Sequence, residues 1–319
     1  MNKLLLLLLL AGTLCNAQQT FKVVDSLTHE PLPYINVNLL NGYGVYTDAG
    51  GNVQLHDIGV TQIELSGIGY ATKKVILSEV KGEILLAPQP IVLDEVTIPV
   101  GKPEIKKVKA KGHQNESEMA VSRFGMEYAV FIPGAETEAY ITALSLPLME
   151  KHFAVNPDYK SLFHKTPYKT FVKVEFLPVV NNVPGEERLY DFEDVMLVDG
   201  TQSPKLFDYE LSQQIELPKE GLFVKLTILG RADENGGLIN ELPYDIVTDA
   251  QGVEARRMKQ LQPNFPLTEI KKQQVPAYTH IMFSANKNWN VIDRPLVFDP
   301  SEVYNGFTIN IGYTLKTYK

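Results

Sequence analysis

The chain has 319 residues, 44% hydrophobic and 21% charged, which are the proportions of a globular protein and exclude general disorder. Its formal net charge of −8 carries no basic excess of the kind that marks a nucleic-acid binder. About 300 residues beyond the first few are more than one core needs and suit two domains.

The chain opens Met1-Asn2-Lys3, continues with leucine at every position from Leu4 to Leu10, and reaches Asn16-Ala17-Gln18 after a small-residue patch. One charge, an apolar run of about 11 residues and a small residue before the break read as a secretory signal peptide over residues 1–17. Such a run falls short of the roughly 20 apolar residues that span a bilayer, and no later run reaches that length. The protein is therefore expected to be exported, to the periplasm, the outer-membrane surroundings or the medium, with no transmembrane segment in the mature chain. Cys15, the sole cysteine, lies inside this leader, and Leu14 stands where a lipoprotein signal places a small residue. Cleavage after Ala17 leaves a mature chain without disulfide, thiol nucleophile or thiolate metal site.

From residue 18 to residue 100, short strand signals recur with turn residues between them: Thr20–Val24, Ile35–Leu40, Gly44–Thr47, Asn52–Leu55, Gln62–Ser66, Thr72–Leu77, Glu83–Leu86 and Leu93–Ile98. No stretch there holds a 3.6-residue period, so the expectation is an all-β sandwich. Ile35, Val37 and Leu39 alternate with Asn36 and Asn38, which gives that strand a buried face and a wet one. Asp48 followed by Gly50 and Gly51 predicts a hairpin turn, because the carboxylate can bond amides ahead of it and glycine tolerates positive φ. Asp48 and Asn52 are also oxygen ligands of the kind calcium takes, but a cage of six oxygens is not visible around them. Gly67 and Gly69 mark a bend, with Tyr70 covering an edge of the core.

The series FKVVDSLTHEPLPYINVNLL, TDAGGNVQL, IELSGIGYATKKVIL and LLAPQPIVLDEVTI resembles the carboxypeptidase-regulatory-like domain of bacterial envelope proteins. The resemblance implies a prealbumin-like sandwich that serves as an accessory module ahead of a receptor plug or another secreted domain. It implies nothing about catalysis.

Residues 101–118 hold five lysines between Lys102 and Lys111, then Gly-His-Gln-Asn-Glu-Ser-Glu, and are expected to be a solvated linker. The alternative is a polybasic patch on anionic lipid or polysaccharide. Residues 119–319 return to strand signals at Phe124–Ile132, Ala139–Leu146, Thr170–Leu177, Asp194–Val198, Tyr209–Leu217, Leu222–Leu229, Thr279–Ala285 and Phe307–Leu315. These predict a larger jelly-roll-like sandwich. One short helix is expected over Glu254–Leu261, where Ala255, Arg256, Arg257, Met258 and Lys259 are good helix formers. TFVKVEFLPVVNNVPGEERL, DVMLV and YELSQQIELPKEGLFVKLTIL resemble the sandwich that follows the regulatory-like domain in a group of uncharacterised envelope proteins. The strict alternation from Phe307 to Leu315 also fits an outer-membrane barrel strand, although the chain ends Tyr318-Lys319 rather than on an aromatic residue.

Chemistry leaves little trace. Gly-x-Ser-x-Gly, His-Glu-x-x-His, a phosphate-cradling glycine loop and a dinucleotide fingerprint are all lacking, and the six histidines never fall at ligand spacing along the chain. Glu186-Glu187 and Glu193-Asp194 are neighbours, which a strand points to opposite faces, so they read as surface charge rather than as a glycosidase pair. Neither a catalytic residue, a metal site nor a cofactor is expected. Trp289, flanked by Asn288 and Asn290, is the one candidate for glycan binding, since an indole face matches a sugar's C–H face beside amide hydrogen-bonders. The alternative is that the indole plugs the mouth of the sandwich.

The leading expectation is a noncatalytic envelope protein that acts through protein contacts, its partner an envelope protein or a glycan. A carbohydrate-binding module and a hydrolase without a recognisable motif are the alternatives.

Overall fold

The computed structural model describes residues 19–55, 59–89, 102–111, 118–149, 152–155, 161–164, 167–202, 205–239, 241–248, 251–294, 301 and 303–318. The leader with Cys15, and the strand expected at Leu93–Ile98, lie outside them. Among the described residues there is no α-helix and no helix long and apolar enough to cross a membrane; the fold is all-β. The chain divides into two compact units, the first running to Gln89 and the second beginning at Pro90, with residues 240–242 belonging to the first.

In the first unit Gln19–Asp25 is the middle strand of a three-stranded sheet, antiparallel to Asn52–Leu55 and parallel to Glu83–Leu86. A four-stranded antiparallel sheet runs Gly44–Tyr46, Asn36–Asn38, Gln62–Gly67, Tyr70–Ile76. Every second residue faces inward: Phe21, Val23, Val37, Val53, Ile63, Leu65, Ile84 and Leu86 form one buried cluster. Ile35 and Leu39 join Val37 in it, while Asn36, also buried, donates through its side-chain amide to Ser66 Oγ at 2.9 Å.

The hairpin at Asp48 follows from its side chain, whose Oδ1 accepts from the amides of Gly50 and Asn52, both at 2.8 Å. Gly51 supplies the positive φ, 74°, and a Cβ there would come 2.6 Å from Val23 O. Tyr70 packs against the core and donates to Asp25 Oδ2 at 2.9 Å.

The second unit is a sandwich of two antiparallel sheets. The larger runs Asp194–Asp199, Lys169–Leu177, Leu222–Arg231, Met126–Ile132, Tyr278–Ile281, Asn290–Val291. The smaller runs Leu206–Glu216, Ala139–Pro147, Gly312–Thr317, Glu104–Val108. Val172, Val174, Phe176, Val224, Leu226 and Val130 from the large sheet share one core with Ile141, Leu144, Leu146, Ile215 and Leu315 from the small one. Burying such aliphatic side chains contributes about 1.5–3 kcal/mol each, which makes this the dominant stabilising term of the unit.

Three expectations are corrected here. Residues 101–118 are not wholly a linker, because Glu104–Val108 is an edge strand of the small sheet, with Lys107 opposite Thr314. Lysine stems are tolerated on an edge strand while their ammonium groups stay in water, and a lysine-rich strand therefore imitates a linker in sequence. The helix at Glu254–Leu261 is instead a strand, Glu254–Met258, in a ribbon with Tyr244–Thr248, followed by Gln260–Pro266 paired with Met119–Arg123. Helix propensity favours such residues by only a few tenths of a kcal/mol each, less than cross-strand pairing and the Arg256 guanidinium 4.9 Å from the Tyr244 ring centroid provide. The alternating run at Phe307–Leu315 is divided between Phe307–Thr308, paired with Thr268–Glu269, and Gly312–Thr317. It does not form the continuous strand that a barrel assignment needs.

Candidate functional site

The outer face of the small sheet carries an open groove of about 1000 Å³. Its floor consists of small side chains, Thr142, Ala143, Ser145 and Thr314. A register shift between Ile141 and Ala143 bulges the chain there, so that Thr142 and Ala143 both reach the groove. Lys107, Lys109 and Lys316 line one side, and Asp208 and Glu210 the other.

Register explains the separation of charge. Lys107 stands opposite Thr314, Thr314 opposite Ala143, and Ala143 opposite Glu210, so one row across four strands has a cation at one end and an anion at the other. Three strand spacings are about 14 Å, room for one extended chain between the two walls.

On the acidic side the Leu206–Glu216 strand alternates in environment. Phe207, Tyr209 and Leu211 pack toward the core, while Asp208, Glu210 and Ser212 line the groove. Ser145 Oγ donates to Asp208 Oδ1, and the amide of Ser212 donates to Asp194 Oδ2 at 2.8 Å. Tyr209 and Tyr313 border the groove, yet both rings pack partly against the core and burial pushes both phenols up. The groove therefore offers polar and charged partners rather than an aromatic stacking platform. Its described lining includes no histidine or cysteine.

A second polar assembly lies on the opposite side of this unit, on the outer face of the large sheet. Lys225 Nζ lies 2.6 Å from Glu175 Oε2 and 3.4 Å from Glu127 Oε1, and Lys173 Nζ lies 3.4 Å from Glu193 Oε2. Arg188 Nε approaches Glu175 Oε1 at 3.5 Å. Burial pushes the Glu127 carboxyl up, but the charge of Lys225 and the bond from His280 outweigh it and hold the group down at about 2. The Lys225 ammonium loses solvent but faces two carboxylates, which push its pKa up. His280 Nδ1 is 2.6 Å from Glu127 Oε2 and its Nε2 is 3.0 Å from Asn286 O. Both ring nitrogens are thus engaged. Among the described residues no three His, Cys, Asp or Glu side chains gather as metal ligands.

Trp289 belongs to this second face. Its ring centroid is 5.6 Å from that of His280, and the indole, half-buried, packs against the cluster of Ala129, Leu177, Phe223 and Tyr278. Asn288 and Asn290 are exposed on either side; the Asn290 amide donates to Asn288 O at 3.4 Å, and the Asn288 N–H to Asn286 Oδ1 at 3.0 Å. The three candidate glycan residues are consecutive, with Asn288 and Trp289 in a loop and Asn290 at the start of the edge strand paired with Tyr278–Ile281.

Glu193 and Asp194 serve different partners, Lys173 and the Ser212 amide, as neighbours on an extended chain do. The groove residues escaped sequence reading. The signal that could have found its acidic wall is the period of two in Leu206–Glu216, where charges alternate with apolar residues. Compared with known proteins, the chain matches no family model, and no curated protein matches it either.

Proposed function

We propose that the chain is an exported, noncatalytic binding protein of the cell envelope that holds an extended polypeptide segment of a partner in the groove on the small sheet. The observation that carries this reading is the floor of small side chains between a lysine wall and an acidic wall, about one peptide strand wide. Protein contacts fit it better than sugars because its two tyrosines are turned partly into the core. Export rests on the leader at residues 1–17, and the front unit's likeness to regulatory-like sandwiches supports a role for it as an accessory docking module.

The test is a selection of displayed random peptides on the mature chain, followed by anisotropy titration against wild type and Ala143→Trp. Selected peptides that bind wild type and lose affinity by at least about tenfold on the variant, at an unchanged unfolding midpoint, support the groove. Undiminished binding to Ala143→Trp, or cleavage of the bound peptide, would sink the reading.

A further inference from the structure

The lysine wall of the groove is also a sheet edge. Glu104–Val108 is the terminal strand of the small sheet, so one row of its backbone N–H and C=O groups faces no strand among the described residues. Lys102, Lys106, Lys107, Lys109 and Lys111 are all exposed along this segment, and Lys316 stands on the adjoining strand. None of these six forms an ion pair or hydrogen bond through its ammonium among the described residues. Lys169, Lys173 and Lys225, by contrast, each face a carboxylate.

Unpartnered cations gathered on one edge of a chain with net charge −8 are a local excess of the wrong sign for this protein. They select what can pair there. A second copy would bring the same lysines to the same edge, and like charges across a strand pair are destabilising.

An acidic strand meets the opposite condition. Lys107 and Lys109, two residues apart, both line the groove, and residues so spaced on extended chain are about 6.6 Å apart. Acidic side chains at alternate positions of an added strand repeat at the same interval, and they would point toward the same side of the sheet.

We propose that the outer edge of this terminal strand, along Lys106–Val108, takes one further strand from a partner polypeptide, acidic at alternate positions, whose carboxylates meet Lys107, Lys109 and their neighbours. This rests on the peptide-binding reading above and names the ligand's chemistry. Backbone hydrogen bonds supply the affinity and the lysine spacing supplies the selection.

The experiment uses the mature chain and labelled synthetic peptides of about ten residues. One alternates glutamate with threonine, and one of identical composition groups its glutamates at one end. Two further versions of the first are N-methylated along either backbone edge. Polygalacturonate and vesicles containing anionic lipid are the competing probes.

The expected result is that the alternating peptide binds at least about tenfold tighter than the grouped one, and more weakly as salt is raised from about 50 to about 200 mM. N-methylation should abolish binding along one backbone edge and spare it along the other. Lys107→Glu with Lys109→Glu should remove binding at an unchanged unfolding midpoint, and Lys107→Gln with Lys109→Gln should weaken it in the same direction.

Equal binding of the two compositions, indifference to N-methylation, or capture of polygalacturonate or vesicles with the peptides ignored would overturn the proposal. If the alternating peptide fails while groove-selected peptides remain sensitive to Ala143→Trp, the edge proposal falls and the groove reading stands. If both fail, both fall.

Discussion

Lys225 stands directly across from Glu175 in the large sheet, and its Nζ lies 2.6 Å from Glu175 Oε2 while reaching Glu127 Oε1 at 3.4 Å. One ammonium thus neutralises two carboxylates that are both buried. Lys225→Met would remove the ammonium that the two share, leaving Glu175 to Arg188 at 3.5 Å and Lys173 at 3.9 Å and Glu127 to His280, and removing one partner of a buried ion pair costs about 3–5 kcal/mol. A urea titration should show the unfolding free energy lowered by that amount. Replacing Lys225, Glu175 and Glu127 together by apolar residues of similar size should recover most of it.

The same cluster sets an acid limit. Glu127 is held at about 2, below its ordinary value of 4.5. A carboxylate lowered on folding contributes stability that is fully present above its unfolded value and is lost as pH falls through the folded one. Unfolding free energy should therefore decline between about pH 4.5 and about pH 2. Glu127→Gln should be less stable than wild type at neutral pH and show a shallower decline over that window, read from denaturant midpoints at successive pH values.

Trp289 is the only tryptophan, so intrinsic fluorescence reports its loop alone. Trp289→Ala should cost about 2 kcal/mol, less than a fully buried aromatic, because the indole is half-buried over Phe223 and Tyr278. Trp289→Phe should restore most of it. A plug role predicts this loss of stability with no change in glycan binding. Glycan affinity that disappears at an unchanged melting temperature would favour a sugar site at Trp289, Asn288 and Asn290.

Gly312 sits where the small sheet leaves no space for a side chain. A Cβ there would come 2.5 Å from the amide nitrogen of Ala110 and 2.8 Å from Val108 O. Gly312→Ala should cost about 1–3 kcal/mol by forcing those backbones apart. It should also weaken groove binding through displacement of the lysine strand, measured on the same selected peptides.

Class and core were legible in sequence because an alternating strand announces its buried face without help from the rest of the chain. Val37 between Asn36 and Asn38, and Val174 between Lys173 and Glu175, are of this kind. Glu104–Val108 was not, since lysine at an edge costs nothing only once the neighbouring strand exists, and that neighbour, Gly312–Thr317, lies about 200 residues away. Glu254–Met258 misled for the same reason, its helix formers being overruled by a partner strand. The ionic cluster depends on Glu127, Glu175, Lys225 and His280, which four different strands bring together. Histidine spacing along the chain could not reveal it, and neither could the pairing of Lys107 with Glu210 at opposite ends of one row.

The most direct test of the central claim is backbone hydrogen exchange of the mature chain with and without a saturating groove-selected peptide. The account predicts added protection on Glu104–Val108, around Thr142–Ser145, and along Leu206–Glu216 and Gly312–Thr317. Protection confined to the loop carrying Trp289, with the small sheet unchanged, would contradict it.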